Sequence, residues 1–527
     1  MKKTILNLTV MILIPVFVLA AAEWAAQTFD KRRGNTYYDD QTELALGKPV
    51  PEKKPGEYRV FLYGGSSAYG FPVADRYSIT AWLRKSFPHL LPGKTVNVMN
   101  CAWPGKASHH DLEGVHAVLK YKPDLFIIYT GHNEAPVDNR LFVDHWIYKL
   151  DLRLKFRSAF YRFLLTRFHK ARKFIVYGSS GYTEKQYREE IIANKVYKKV
   201  EVDDEEYGKI LQAYRKNIES IIRFAKEHQI RVLIVNLPSN LRDIPPAIST
   251  HKAALSEVKL ADWNRYFEEA KAFEKQGKYK EAVESYQVAA AIDPTYADLQ
   301  YQLGQSYEQI GDYASAKKAY QSALDHDGHP WRAKSSLNEI LLQISQQQDI
   351  IFVDIVAALE RLSPHGILSR ELIYDNVHPS IQAQQVITDE ILHALAQANW
   401  LAPAGEWQWK ALEKAKEDKT SEDWKVDGSL NAYTYVLRGL NLWEEKRYDM
   451  AAVDLEKGLE LMPKFVESYA FLGDSYLRLG EFEKAAKAFQ TLTQKDPSLS
   501  DYLAKKYPDI EESFNKSMIK AAQSQKL

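Results

Sequence analysis

The sequence predicts an α/β protein, a three-layer α/β/α sandwich on a parallel sheet, with all-α helix pairs added to it. Two observations predict this class. Five short apolar runs rich in β-formers lie far apart: Tyr58–Tyr63, Val96–Met99, Asp124–Tyr129, Arg231–Asn236 and Ile350–Asp354. Strands buried on both faces, as in parallel sheets, read as such continuous apolar runs. Second, residues 263–296 and 297–330 align at an offset of 34 residues, and 432–465 and 466–499 repeat the scheme. That period is the signature of stacked helix pairs.

The elements follow in order. The first run ends in Gly64-Gly65, which permits a sharp turn before Ser66. The second leads to Gly105, the third runs directly into Gly131 and Asn133, and a long helix is expected around 206–228. The fourth run continues into the loop Leu237–Asp243. The first repeat pair comes next, matching Ala270 with Gly304, Phe273 with Tyr307, Ala282 with Ala316, Tyr286 with Tyr320 and Ala289 with Ala323. Its small residues let antiparallel helices approach, and its aromatics fill the groove between them. The fifth run follows, then Asp375 and His378 at the expected start of a C-terminal helix. In the last pair Gly439 and Gly473, Ala451 and Ala485, Leu455 and Phe489 correspond.

Four of these segments together contain what acyl transfer requires. A serine hydroxyl is a poor nucleophile at neutral pH and needs a general base, itself oriented by a carboxylate. Ser66 is the candidate nucleophile, His378 the base and Asp375 its orienting partner, three residues away and within reach on one helical turn. An oxyanion needs donors, and the Ser66 and Gly105 backbone N–H groups with the Asn133 side-chain amide are the candidates. In open parallel sheets ligands bind beyond the carboxyl ends of the strands, where these loops converge. His132 and Glu134 are assigned to hydrogen bonding behind the site, and Trp103, His109 and His110 to packing or exposed loop.

On these residues the chain resembles the SGNH (GDSL-type) serine hydrolases, whose fold is flavodoxin-like. Ser66 matches the block I serine, Gly105 the block II glycine, Asn133 the block III asparagine, and Asp375 with His378 the block V pair. Gly65 and Glu134 depart from the pattern, which usually has Asp at both places. The repeats resemble tetratricopeptide (TPR) repeats. The resemblance implies an esterase acting on O-acyl or O-acetyl esters, with an acylated glycan or a lipid as substrate. It leaves open an acyltransferase acting on envelope glycans and a non-catalytic TPR scaffold. TPR modules imply a protein partner.

The domain plan is a signal anchor over 1–29, a hydrolase domain over 57–245 and 346–400, an inserted TPR pair over 261–330 and a C-terminal pair over 431–500. Lys2-Lys3 followed by an apolar stretch to Ala22 approaches the ~20 residues that cross a bilayer. The expectation is therefore a single-pass protein of the cell envelope, and because Lys31-Arg32-Arg33 offsets Lys2-Lys3, it is the resemblance to exported hydrolases that implies a catalytic domain in the periplasm. A net charge of +1 and the lack of any zinc, helix-turn-helix or RNA-binding signature argue against nucleic acid as partner. The only cysteine, Cys101, forbids an intramolecular disulfide. No metal or nucleotide cofactor is implied: the sequence has no His-Glu-x-x-His and no P-loop. Basic and apolar residues interleave from Lys149 to Phe174, the composition either of an amphipathic helix packed on the domain with a solvated basic face or of a segment that lies on an anionic membrane surface or meets an anionic glycan.

Overall fold

The computed structural model describes residues 51–135, 201–418 and 428–495, apart from 73, 252–254, 349 and 445, with a few isolated positions elsewhere. The chain forms two compact units, residues 1–409 and 410–527.

In the first unit β1 (Glu57–Gly64) is followed by the single turn α1 (Ser66–Tyr69), α2 (Ile79–Leu90), β2 (Thr95–Asn100), α3 (Ser108–Ala117), β3 (Leu125–Tyr129), α4 (Asp204–Glu227) and β4 (Arg231–Val235). The inserted helices α5 (Glu257–Lys275), α6 (Tyr279–Ile292), α7 (Ala297–Gln309) and α8 (Tyr313–His326) come next. Then α9 (Ser335–Gln347), β5 (Ile351–Val353), α10 (Ile355–Leu362) and α11 (Ile381–Gln397) complete the sandwich. The five strands are all parallel in the order β2-β1-β3-β4-β5. Every residue of β3 is buried, which is why its sequence is unbroken by polar residues. Helices α2, α10 and α11 pack together as one layer, and α3, α4 and α9 as another.

Strand order reverses between β1 and β3, so a crevice opens at their carboxyl ends. Close approach there dictates Gly64: its φ is +148°, and a Cβ would lie 1.9 Å from the Tyr129 carbonyl oxygen of the neighbouring strand. Gly64→Ala is expected to cost on the order of 3 kcal/mol or more, combining a strained backbone with overpacking. Gly56→Ala is the control, because its φ of +76° carries strain but nothing lies within 4 Å of a Cβ there. Urea midpoints of the two variants measure the difference, and equal losses would contradict the close approach.

The inserted pair packs as its 34-residue period requires. Ala270, Ala282, Ala289 and Ala316 are fully buried, and a Cβ on Gly304 would come within 2.7 Å of the Tyr320 ring. The chemistry repeats as well: Tyr286 donates to Glu274 at 2.8 Å, and Tyr320 donates to Glu308 at 2.5 Å. Two repeats are marginal as a free-standing solenoid, and this pair does not stand free. Tyr301 and Tyr320 share a core with Leu241 and Ile367 of the sandwich, Tyr301 donates to the Arg242 carbonyl at 2.7 Å, and Lys317 pairs with Glu360 at 2.7 Å.

The second unit holds α12 (Gly428–Glu444), α13 (Tyr448–Leu461), α14 (Ser468–Arg478) and α15 (Phe482–Lys495). Cβ atoms on Gly439 and Gly473 would come within 2.6 Å of Leu455 and 2.7 Å of Phe489, respectively, so each small residue faces the side chain that the repeat pairs with it.

The apolar N-terminal stretch lies almost wholly outside the described residues, and so does most of the basic segment Lys149–Phe174. Among the described residues no helix is long and apolar enough to cross a membrane. That finding corrects the expectation of a membrane-anchored periplasmic protein. A crossing needs about 20 continuous apolar residues, whereas the longest described helix, α4 with 24 residues, opens on Asp204, Glu205 and Glu206 and buries one face only.

Candidate active site

The turn after β1 presents Ser66. Gly65 is extended, Ser66 opens α1, and Tyr69 and Gly70 donate back to the Gly65 and Ser66 carbonyls at 3.0 and 3.1 Å. The next residue, Ser67, is buried and donates to the Val377 carbonyl at 2.9 Å, while Gln384 of α11 donates to the Ser67 carbonyl at 3.2 Å. The turn that bears Ser66 is thereby fastened to the segment that carries His378.

His378 Nε2 lies 2.7 Å from Ser66 Oγ, and His378 Nδ1 lies 2.6 Å from Asp375 Oδ2. The other carboxylate oxygen, Oδ1, accepts the Val377 and His378 backbone N–H groups at 2.9 and 3.0 Å. These bonds hold the carboxyl below its usual range. Burial alone would raise it, but the His378 ring and the three hydrogen bonds outweigh burial. The local structure differs from the expected helical turn. Residues 374–378 form a loop closed by an antiparallel bridge between Ile373 and Pro379 and by the Tyr374 N–H on the His378 carbonyl at 2.8 Å. Helix α11 starts only at Ile381, capped by Ser380. An aspartate that takes the N–H groups two and three residues ahead favours such a turn over a helix. Phe71 packs on the imidazole, ring centroids 4.8 Å apart.

The three candidate oxyanion donors belong to loops that meet at Gly65. Asn133 Nδ2 donates to the Lys106 carbonyl at 2.9 Å, which engages one of its two hydrogens. A Cβ on Gly65 would lie 2.3 Å from that Nδ2 and 3.1 Å from the Lys106 carbonyl. This accounts for glycine where the SGNH pattern usually has Asp: a side chain there would displace the amide. Gly105 precedes Lys106 at φ +76° on the exposed edge of the same loop.

Behind the site lie three buried titratable groups. His132 accepts the Ala333 N–H on Nδ1 at 3.3 Å, so its proton sits on Nε2, an atom with no partner among the described residues. Burial, together with the nearby His378, pushes its pKa down to about 3 against the opposing charge of Asp375. Glu134 accepts the Ser108 N–H and hydroxyl, both at 2.8 Å, and so caps the N-terminus of α3. Burial raises the Glu134 carboxyl to about 7 despite these bonds. Asp111 is raised to about 7 too, by burial first, with Thr130 opposing and Glu134 adding to it.

A carboxyl whose folded pKa exceeds its unfolded value takes up a proton on folding, so its contribution to stability falls as pH rises between the two values. For Glu134 that window runs from 4.5 to about 7. Glu134→Gln is expected to flatten the decline of Tm across that window. A slope equal to the parent's, measured by scanning calorimetry, would contradict the buried carboxyl.

Sequence reasoning named Ser66, Asp375, His378, Gly105 and Asn133, and the structure brings these segments together. Trp103 is exposed and His109 is buried. Ser67, Lys106, Asp111, Asn240 and Gln384 were missed. Nothing local marks Ser67 or Gln384, whose partners lie more than 300 positions away.

The chain is similar to a GDSL-like lipase from Bacteroides thetaiotaomicron VPI-5482, at 12% identity over 69% of this chain and 98% of that one, with a TM-score of 0.30. It is also similar to Axe2, an acetylxylan esterase from Geobacillus stearothermophilus, at 12% identity over 64% and 94%, with a TM-score of 0.29. No curated protein matches the chain. Family models described as TPR repeat and tetratricopeptide repeat match residues 270–311, 297–327 and 442–506. The chain carries tetratricopeptide repeats in two places, one inside and one beyond the α/β sandwich.

Proposed function

We propose that the chain is a serine hydrolase of carboxylic esters. The observation that carries the reading is the line of two hydrogen bonds, 2.7 and 2.6 Å, that joins Ser66, His378 and Asp375. Ser66 Oγ attacks the ester carbonyl while His378 Nε2 takes its proton. Asp375 keeps the Nδ1 proton in place and balances the imidazolium that forms. Ser66 N–H, Gly105 N–H and Asn133 Nδ2 receive the oxyanion. Collapse of the intermediate breaks the bond to the alkoxy oxygen, which leaves with the proton from His378. Water, deprotonated by the same imidazole, then releases the acid and restores Ser66.

The substrate class is an O-acyl ester, an acetylated glycan or a lipid, and the TPR repeats receive a protein partner. Hydrolysis of esters from acetyl to long-chain acyl tests the reading. Turnover with an optimum at acetyl supports a deacetylase, and an optimum at long chains supports a lipid hydrolase. No turnover by the parent across the series would leave the TPR scaffold as the better account.

A further inference from the structure

The strap that leaves the inserted repeats, residues 327–333, ends in a buried guanidinium with no role in the chemistry above. Arg332 Nη1 donates to two backbone carbonyls of the loop after β4, Asn240 at 2.8 Å and Ile244 at 2.9 Å. Asp327, where the second TPR match ends, lies 3.6 Å from the same guanidinium and accepts the Ala247, Ile248 and His329 N–H groups. The clamped loop in turn grips the segment that bears the proposed base. Asn240, fully buried, donates its backbone N–H to the Asn376 carbonyl at 3.0 Å and its side-chain amide to the Ile373 carbonyl at 3.1 Å. Asn376 sits between Asp375 and His378.

Leu241 and Arg242 N–H both go to the Leu368 carbonyl, and Asp243 accepts the Arg370 N–H at 2.6 Å. The next strap residue, Ala333, donates to His132. One short segment thus ties together the loops after β3 and β4 and, through Asn240, the Asp375–His378 loop. Removing a buried hydrogen-bonded charge leaves backbone carbonyls unsatisfied, and displacing a reacting group by about 1 Å can cost about a hundredfold in rate.

We infer that Arg332 and Asn240 are positioning residues for the Asp375–His378 pair, and that the TPR insertion is a structural part of the catalytic site. The inference rests on the proposed esterase reading for its kinetic arm but has a second arm that does not. Arg332→Lys retains charge but reaches a single carbonyl, and Asn240→Ala removes the grip on Ile373 and the acceptor of the Asp243 N–H while keeping the Asn240 N–H on the Asn376 carbonyl. Ser239→Ala, whose hydroxyl bonds among the described residues to the Ala333 carbonyl alone, is the control.

In the full chain, both positioning variants are expected to lose about ten- to a hundredfold in kcat with KM little changed. They are also expected to shift or broaden the far-downfield proton resonance of the His378–Asp375 bond, identified by its loss in Asp375→Asn. Ser239→Ala keeps the parental rate and resonance. Folded variants with parental kcat and an unmoved resonance overturn the inference, as does absence of the resonance from the parent. If the parent is inert toward esters, the function reading fails, and the resonance alone decides the positioning.

Discussion

Ser66→Ala is expected to reduce kcat for ester hydrolysis by roughly 10⁴- to 10⁶-fold, the range over which loss of a serine nucleophile acts. Ser66 Oγ lies 2.7 Å from His378 Nε2, and alanine leaves the imidazole without a hydroxyl to deprotonate. Groups that act as a unit are not additive, so Ser66→Ala combined with His378→Ala should cost hardly more than either alone. Full additivity, measured as kcat for the two single variants and the double, would show that the two residues do not share a step. Stability should change little, because Ser66 is partly exposed and the bonds that close its turn are made by backbone and by Ser67.

Asp375→Asn is the second large effect, expected near 10⁴-fold in kcat by analogy with the effect of removing the orienting carboxylate of a Ser-His-Asp triad. The asparagine carbonyl can still accept the Val377 and His378 N–H groups that Oδ1 accepts now, so the loop survives. Its amide, however, donates toward Nδ1 where the carboxylate accepts. The proton then sits on Nε2 and points at Ser66 instead of accepting from it. The same change has a signature in stability. Asp375 is held below its ordinary range in the folded chain, so its ionised form contributes stability that is fully present above the unfolded value of 3.8 and is lost as pH falls through the folded value. The variant should show less acid sensitivity below that point. A variant with parental kcat would mean that His378 does not depend on this carboxylate.

The parts that local chemistry determines were legible in the sequence. Unbroken apolar runs such as Leu125–Tyr129 reveal doubly buried strands. Glycines at strand ends mark the turns that carry Ser66 and Asn133. A 34-residue period in small and aromatic residues reveals the repeats, because each repeat must solve the same packing problem.

Less legible was anything that depends on which loops meet. Asp375 and His378 were found by type and spacing, but their loop was expected as a helical turn. The Ile373–Pro379 bridge that closes it has no short-range signal. Arg332 and Asn240 lie 92 positions apart, and neither stands out until the strap and the loop after β4 are seen side by side. The apolar N-terminal stretch lies almost wholly outside the described residues. Hydropathy alone suggested an envelope anchor, whereas among the described residues no helix can span a bilayer.

A nucleophile at Ser66 activated by His378 should react with a serine-directed phosphonate, and peptide mass spectrometry of the treated full chain locates the adduct. One adduct is expected, on Ser66, forming quickly in the parent and strongly slowed in His378→Ala. An unmodified Ser66 in the parent, or equal labelling of the parent and His378→Ala, would contradict the activated nucleophile.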